Sequence, residues 1–99
     1  MGNLDSAIIH LNRAVNIDPK YAIAWSNLGS VYYSANRVDE AIKAYENAVT
    51  YNPTFSDGWY NLGILNYNLG HKEVACENLR KAAALGMEHA ANAVRDLCK

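Results

Sequence analysis

The chain has 99 residues, of which 51% are hydrophobic and 19% charged, and its net charge is −1 at pH 7. This length and composition fit one ordinary globular domain. A nearly neutral chain has no overall field to hold nucleic acid or an anionic membrane. No apolar run approaches the ~20 residues of a membrane span. We therefore expect neither a nucleic-acid partner nor membrane insertion.

Apolar residues at helical spacing predict six helices, separated by proline and glycine. The predicted helices cover residues 4–17, 21–34, 38–51, 55–68, 72–85 and 88–98. Pro19 and Pro53 end the first and third helices, because proline disfavours helix in the residue before it. Gly70 and Gly86 are helix-stop glycines after the fourth and fifth. No strand and no linker is predicted.

The helices repeat one residue pattern at a fixed interval along the chain. The reference stretch carries Trp25, Leu28, Gly29, Tyr32, Ala41, Tyr45, Ala48 and Pro53. The same pattern returns downstream as Trp59, Leu62, Gly63, Ala75 and Ala82, and upstream as Ala7, Leu11, Ala14 and Pro19. A fixed period of this length is typical of a helical solenoid, in which identical hairpins stack on one another.

Two glycines of the pattern, Gly29 and Gly63, lie in the middle of predicted helices. Glycine there costs roughly 1 kcal/mol relative to alanine. Such a cost is tolerable where a neighbouring helix must approach closely. Ala41 and Ala75 are the small residues that could face the two glycines.

This pattern resembles the tetratricopeptide repeat family, in which each repeat has Trp-x-x-Leu-Gly-x-x-Tyr followed by Ala, an aromatic residue and Pro. Residues 20–53 match it at every place. Residues 54–86 depart from it at Asn66, Leu79 and Met87. The resemblance implies an all-α fold, an α-solenoid of antiparallel helix hairpins with about two and a half repeats. The implied single domain, residues 1–99, divides into the second helix of an incomplete repeat (1–19), two full repeats (20–53 and 54–86) and a C-terminal capping or first-type helix (87–99).

The two cysteines, Cys76 and Cys98, lie on separate predicted helices and have no metal-ligand spacing. We interpret them as reduced thiols of an intracellular, cytoplasmic protein. A disulfide between them is not expected.

Residues for catalysis are sparse. The three histidines, His10, His71 and His89, are scattered over a helix face, a turn and a helix start. Glu73 and Glu77 are one turn apart, as in a solvated charge ladder rather than an acid–base pair. We therefore predict a protein that is not an enzyme and has no cofactor and no metal site.

The clearest functional signal is Asn27 and Asn61, each in the sequence Trp-x-Asn-Leu-Gly. They resemble the asparagine ladder of the O-linked N-acetylglucosamine transferase superhelix, which implies that they face a concave groove and grip an extended peptide backbone. A carboxamide suits this role because it both donates and accepts hydrogen bonds. Arg95 occupies the same place in the last helix and would suit a carboxylate. The alternative is that these asparagines only satisfy neighbouring backbone groups.

Three further tyrosines, Tyr33, Tyr60 and Tyr67, lie outside the helix face that carries the repeat pattern. Tyrosine is a good binding residue because it combines apolar area with a hydroxyl. These tyrosines could equally pack against adjacent repeats. The predicted peptide-binding groove comprises Ile23, Asn27, Ser30, Tyr33, Asp57, Tyr60, Asn61, Ile64, Tyr67 and Arg95. The lysines of the family's clamp for acidic chaperone tails are missing around Asn27 and Asn61. The expected partner is therefore a protein or peptide of mixed polar and aromatic character rather than a strongly acidic one.

The leading prediction is a non-catalytic protein–protein interaction module that binds an extended peptide segment. The alternative is a self-assembling structural scaffold. In that case the last helix of one molecule docks on the first helix of the next, head to tail or by a domain swap, giving a homo-oligomer.

Overall fold

The computed structural model describes residues 2–98, which form six α-helices and no strand. The helices are α1 (Gly2–Ile17), α2 (Ala22–Ser34), α3 (Val38–Tyr51), α4 (Ser56–Asn68), α5 (Lys72–Ala84) and α6 (Glu88–Leu97). Every predicted helix is present, and every end lies within two residues of its predicted place. The all-α prediction is confirmed. Residues 1 and 99, at the two limits of the predicted domain, lie outside the described residues.

The chain forms two compact units, Met1–Pro53 and Thr54–Lys99. We call these unit 1, which contains α1 to α3, and unit 2, which contains α4 to α6. The border between them falls where one predicted repeat ends and the next begins. Each unit contains one helical hairpin and one further helix packed against it.

In unit 1, α2 and α3 form the hairpin and α1 packs on α2. The core of the unit is built around Leu28, which is almost completely buried. A Cβ added to Gly29 would lie 2.8 Å from ring atoms of Tyr45, so the aromatic ring occupies the space that a side chain would need. The predicted close approach is confirmed, but the nearest residue is Tyr45 rather than Ala41. An aromatic ring is large enough to reach across the helix crossing, whereas an alanine side chain is not.

Unit 2 contains the corresponding hairpin, formed by α4 and α5, but its third helix, α6, follows the hairpin and packs on α5. A Cβ on Gly63 would lie 2.8 Å from Leu79 Cγ and 3.2 Å from the carbonyl oxygen of Ala75. Here the predicted small residue, Ala75, does face the glycine. Gly70 and Gly86 follow α4 and α5 with φ values of +87° and +97°, which confirms the predicted glycine stops.

The departures of the second repeat from the family pattern have a structural explanation at Asn66. This residue replaces the tyrosine that the first repeat carries as Tyr32, and it is buried. Its Nδ2 donates a hydrogen bond of 3.0 Å to Oδ1 of Asn78, which is also buried. Asn78 takes the place that Ala44 has in the first repeat, so the second repeat has exchanged a Tyr/Ala pair for a hydrogen-bonded Asn/Asn pair. Buried amides are tolerated when they satisfy each other in this way.

The interpretation of the cysteines as reduced thiols is wrong. Cys76 on α5 and Cys98, which follows α6, form a disulfide with their Cα atoms 5.8 Å apart. The physical reason is the packing of α6 against α5, which brings the end of α6 next to the buried Cys76 of α5. Because disulfides are rare in the cytosol, the expectation of a cytoplasmic protein loses the cysteine argument that supported it. Within residues 2–98, no helix is both long and apolar enough for a membrane span.

Candidate peptide-binding surfaces

Four of the predicted binding residues lie on α2 of unit 1. At 100° per residue they fall within an arc of about 120° on one side of the helix. These residues are Ile23, Asn27, Ser30 and Tyr33, and all four are exposed. The exposed fractions of Ile23 and Tyr33 are 52% and 44%. Asn27 lies between them with its carboxamide exposed, so this side of α2 combines apolar area with a two-way hydrogen-bonding group.

The hydroxyl of Ser30 is fixed from the core side of the same helix. Its Oγ shares a hydrogen bond of 2.8 Å with the Tyr45 hydroxyl of α3. Burial raises the pKa of Tyr45, and the hydrogen bond from Ser30 opposes that rise. Ser30 is therefore a positioned residue, with its hydroxyl at the border between core and surface.

The tryptophan and tyrosine of the repeat pattern pack between helices in unit 1. In unit 1, Trp25 is half-buried, and its ring lies nearly parallel to that of Tyr51 with centroids 6.4 Å apart. Its Nε1 donates a 2.7 Å hydrogen bond to the carbonyl oxygen of Pro19. Tyr32 is buried, and its hydroxyl accepts a 3.2 Å hydrogen bond from Nδ2 of Asn12. These contacts join α1, α2 and α3.

Five predicted residues lie on α4 of unit 2, again on one side of the helix. They are Asp57, which is exposed, and Tyr60, Asn61, Ile64 and Tyr67, which are half-buried. Asn61 is therefore less accessible than its counterpart Asn27, although both follow a tryptophan by two residues. The two asparagines are equivalent in sequence but not in exposure.

Arg95, the tenth predicted residue, lies on the exposed side of α6. Its Nε is 3.5 Å from Oδ1 of the adjacent Asp96, and both side chains are largely exposed. A surface ion pair of this kind contributes little to stability. The guanidinium therefore has most of its donors available to a ligand.

Two features of the surface were not found from the sequence. One is the Cys76–Cys98 disulfide, for which the signal is the order of helix types, since α5, like α1, is a second-type helix that packs on the helix after it. The other is a cavity of about 260 Å³ in unit 1, beside Trp25. Among residues 2–98, no three or more His, Cys, Asp or Glu side chains are grouped so that they could hold a metal ion.

Comparison with solved structures gives close matches in fold. The crystal structure of MamA matches with a TM-score of 0.81 and 30% identity, over 90% of this chain and 52% of that one. The first TPR of Spaghetti (RPAP3), bound to the HSP90 peptide SRMEEVD, matches with a TM-score of 0.86 and 21% identity, over 98% of this chain and 79% of that one. The Sgt2 TPR domain from Aspergillus fumigatus matches with a TM-score of 0.85 and 21% identity, over 97% of this chain and 66% of that one. This chain thus spans about half the length of the MamA chain.

No sequence among the curated proteins matches significantly. Models of protein families do match. One described as TPR repeat covers residues 1–36 and 29–70, and one described as tetratricopeptide repeat covers residues 56–85. Together with the six helices and the structural neighbours, these matches confirm an all-α fold of the solenoid class with about two and a half repeats. The chain belongs to the tetratricopeptide repeat family.

Proposed function

We propose that this protein is a non-catalytic interaction module that binds extended peptide segments. The observation that carries the proposal is the exposed side of α2, where Asn27 lies between the exposed side chains of Ile23 and Tyr33. An amide in this setting can pair with a peptide C=O and N–H together, while its neighbours contact alternate side chains. The corresponding side of α4, with Asn61 and Tyr60, is proposed to bind peptide in the same manner.

The composition of these surfaces suggests the character of the partner. The RPAP3 domain is bound to an HSP90 peptide, SRMEEVD, that contains three acidic residues. The surface on α2 has no lysine or arginine, and the surface on α4 includes Asp57. We therefore propose that each surface binds a segment of mixed polar and aromatic character, and that Arg95 of unit 2 would contact a carboxylate.

The test is a binding measurement with variants of Asn27. A partner peptide, selected from a display library on the wild-type chain, should bind Asn27→Ala about tenfold or more weakly, since a lost pair of hydrogen bonds contributes roughly 1–3 kcal/mol. The matched control is Asn16→Ala, an exposed asparagine on α1 outside this surface. Asn61→Ala tests the surface on α4 separately, in the same way. Equal affinity of the wild type and Asn27→Ala, with helicity unchanged by circular dichroism, would remove the role proposed for the asparagines.

The alternative of head-to-tail assembly meets a steric objection at α6. Leu97 stands one repeat after Gly63, at the position where each hairpin requires a glycine. A Cβ at either Gly29 or Gly63 would come within 2.8 Å of the facing helix, and a leucine is far larger. We therefore expect α6 of one copy not to pack on α1 of another, and light scattering over a concentration series should give the mass of a monomer.

A further inference from the structure

Unit 1 contains a cavity on the side of α2 that faces away from Asn27. Its floor is formed by Trp25, Leu28 and Tyr32 of α2, and its walls by Asn12 of α1 and by Glu40, Lys43, Ala44 and Asn47 of α3. We call this cavity the Trp25 pocket. Its volume is about 260 Å³. The floor residues span seven positions of a helix, or about 10 Å, which is long enough for an extended side chain of four or five carbons.

The second repeat shows which kind of group packs against the tryptophan at this position. In unit 2, Nζ of Lys81 lies 4.3 Å from the centroid of the Trp59 ring, a cation–π contact. The residue that stands one repeat before Lys81 is Asn47, whose side chain is shorter and uncharged. Among the described residues, no lysine or arginine lies over Trp25. The first repeat therefore has the ring and the surrounding space, but it lacks the ammonium group that fills this place in the second.

The polar groups around the Trp25 pocket suit an ammonium ion, which brings three donors and needs acceptors. Asn12 uses its Nδ2 to donate to the Tyr32 hydroxyl, which leaves its carbonyl oxygen as an acceptor. Glu40 accepts two hydrogen bonds from Arg37, of 2.6 and 2.7 Å, and a carboxylate has lone pairs for more. Asn47 adds a second amide oxygen.

Lys43 is the one cationic lining residue, and it opposes a bound cation. It is exposed, so its long stem can lie along the surface with the charged end in water. Its charge lowers the affinity of the pocket for an ammonium without blocking the space. Removing the charge of Lys43 should therefore strengthen the binding of a cation, which can be tested by mutation.

We propose that the Trp25 pocket binds the side chain of a lysine from a partner protein. The ammonium group lies over Trp25 as Lys81 lies over Trp59, and the aliphatic stem lies against the half-buried indole of Trp25. Lysine fits better than a free amine, because the half-buried indole of Trp25 adds apolar contact area along the stem. This surface is separate from the peptide-binding side of α2, so either one can fail without the other.

The first experiment uses the wild-type chain and small probes. Nα-acetyl-lysine methylamide is titrated against ¹⁵N-labelled protein, and the indole N–H resonance of Trp25, assigned with Trp25→Phe, is followed. We expect a saturable shift at Trp25 and at the amides of Leu28 and Ala44. The norleucine analogue, which keeps the stem but lacks the charge, should bind at least about fivefold more weakly. The arginine analogue tests whether any cation suffices.

The second experiment fills the pocket from within. Asn47→Lys gives α3 the residue that α5 has at this place as Lys81. The ammonium group of the introduced lysine should cover Trp25 and weaken the binding of the lysine probe by about tenfold or more. Asn47→Gln is the matched control without charge and should bind as the wild type does. Lys43→Ala should bind more tightly than the wild type, because one repulsive charge is removed.

Three results would overturn the proposal: no saturable shift at Trp25, equal binding of the lysine and norleucine probes, or undiminished binding to Asn47→Lys. The arginine probe binding as tightly as the lysine probe would overturn the choice of lysine. The comparison of probes needs only the wild-type chain, so it decides the question even if Asn47→Lys does not fold.

Discussion

Reduction of the Cys76–Cys98 disulfide is expected to destabilise unit 2 and to leave unit 1 almost unchanged. The bridge closes a segment with a sequence separation of 22. For a loop of this length, the chain-entropy estimate is about 11 cal/mol/K, or about 3.4 kcal/mol at 25 °C. The position of α6 should depend strongly on the bridge, because Ala90 is the one fully buried residue of this helix. A helix of ten residues is marginal by itself, so α6 relies on the bridge to remain packed on α5.

The assay is urea unfolding with and without reductant. Cys76 and Cys98 both border an open cleft of about 450 Å³, which Lys72 and Arg80 also line. A small thiolate reductant can therefore reach the bridge. Each unit contains one tryptophan, and Trp→Phe variants therefore allow fluorescence to report one unit at a time. With an m-value of about 1–3 kcal/mol/M, the midpoint of the Trp59 transition should fall by more than about 1 M. The midpoint of the Trp25 transition should hardly move.

Cys98→Ser provides the matched control, because reductant has no bridge to break in that variant. Thiol titration of the denatured protein must give no thiols before reduction and two after it. If it gives two before reduction, the bridge does not form in solution. If the bridge is reduced and the Trp59 midpoint stays where it was, then α6 is held by packing alone and the reasoning above is refuted.

Three further predictions concern the cores of the two units, and urea unfolding measures each of them. Gly63→Ala should destabilise by about 1–2 kcal/mol, since overpacking against Leu79 outweighs the better helix propensity of alanine. Leu79→Ala, which empties a fully buried site, should then cost less in the Gly63→Ala chain than in the wild type, and strictly additive costs would contradict the clash. Because burial raises the pKa of Tyr45, the stability that its neutral form provides is complete below about pH 10 and is lost as the pH rises through the raised value. Tyr45→Phe should abolish this part of the alkaline loss, and an unchanged pH profile would contradict it. Asn78→Ala should cost about 1–3 kcal/mol, because it leaves the buried amide of Asn66 without its acceptor; a cost no larger than that of changing both asparagines together would argue against the pair.

The sequence was sufficient to predict the helices and the repeat because both depend on local and periodic signals. Tryptophan, glycine and proline recur at the repeat period, and each has one strong structural preference. The close approach at Gly29 was predicted as well, but its partner was not. Which side chain reaches a glycine depends on the size and rotamer of residues such as Tyr45, and periodicity does not encode either.

Pairwise features were harder to predict than periodic ones. The disulfide was missed because Cys76 and Cys98 occur once each and do not repeat, so no period relates them. The Trp25 pocket was missed for the opposite reason: a missing side chain is visible only when two repeats are compared position by position. The departure at Asn66 was noticed in the sequence, but its compensation by Asn78 needed the coordinates.

Comparison of the two full repeats separates positions that hold the fold from positions that can carry recognition. Gly29 and Gly63 are the same residue because the facing side chains of Tyr45 and Leu79 leave no room for another. At Asn47 and Lys81 the residues differ, and the difference leaves Trp25 beside a cavity in one unit while the other unit supplies its own cation. A substitution at the second kind of position should change ligand affinity and leave unfolding nearly unaffected, whereas a substitution at the first kind should do the reverse. Measuring both quantities for Asn47→Lys therefore tells a binding residue from a structural one, since a purely structural role for this position would change stability without changing the affinity for lysine.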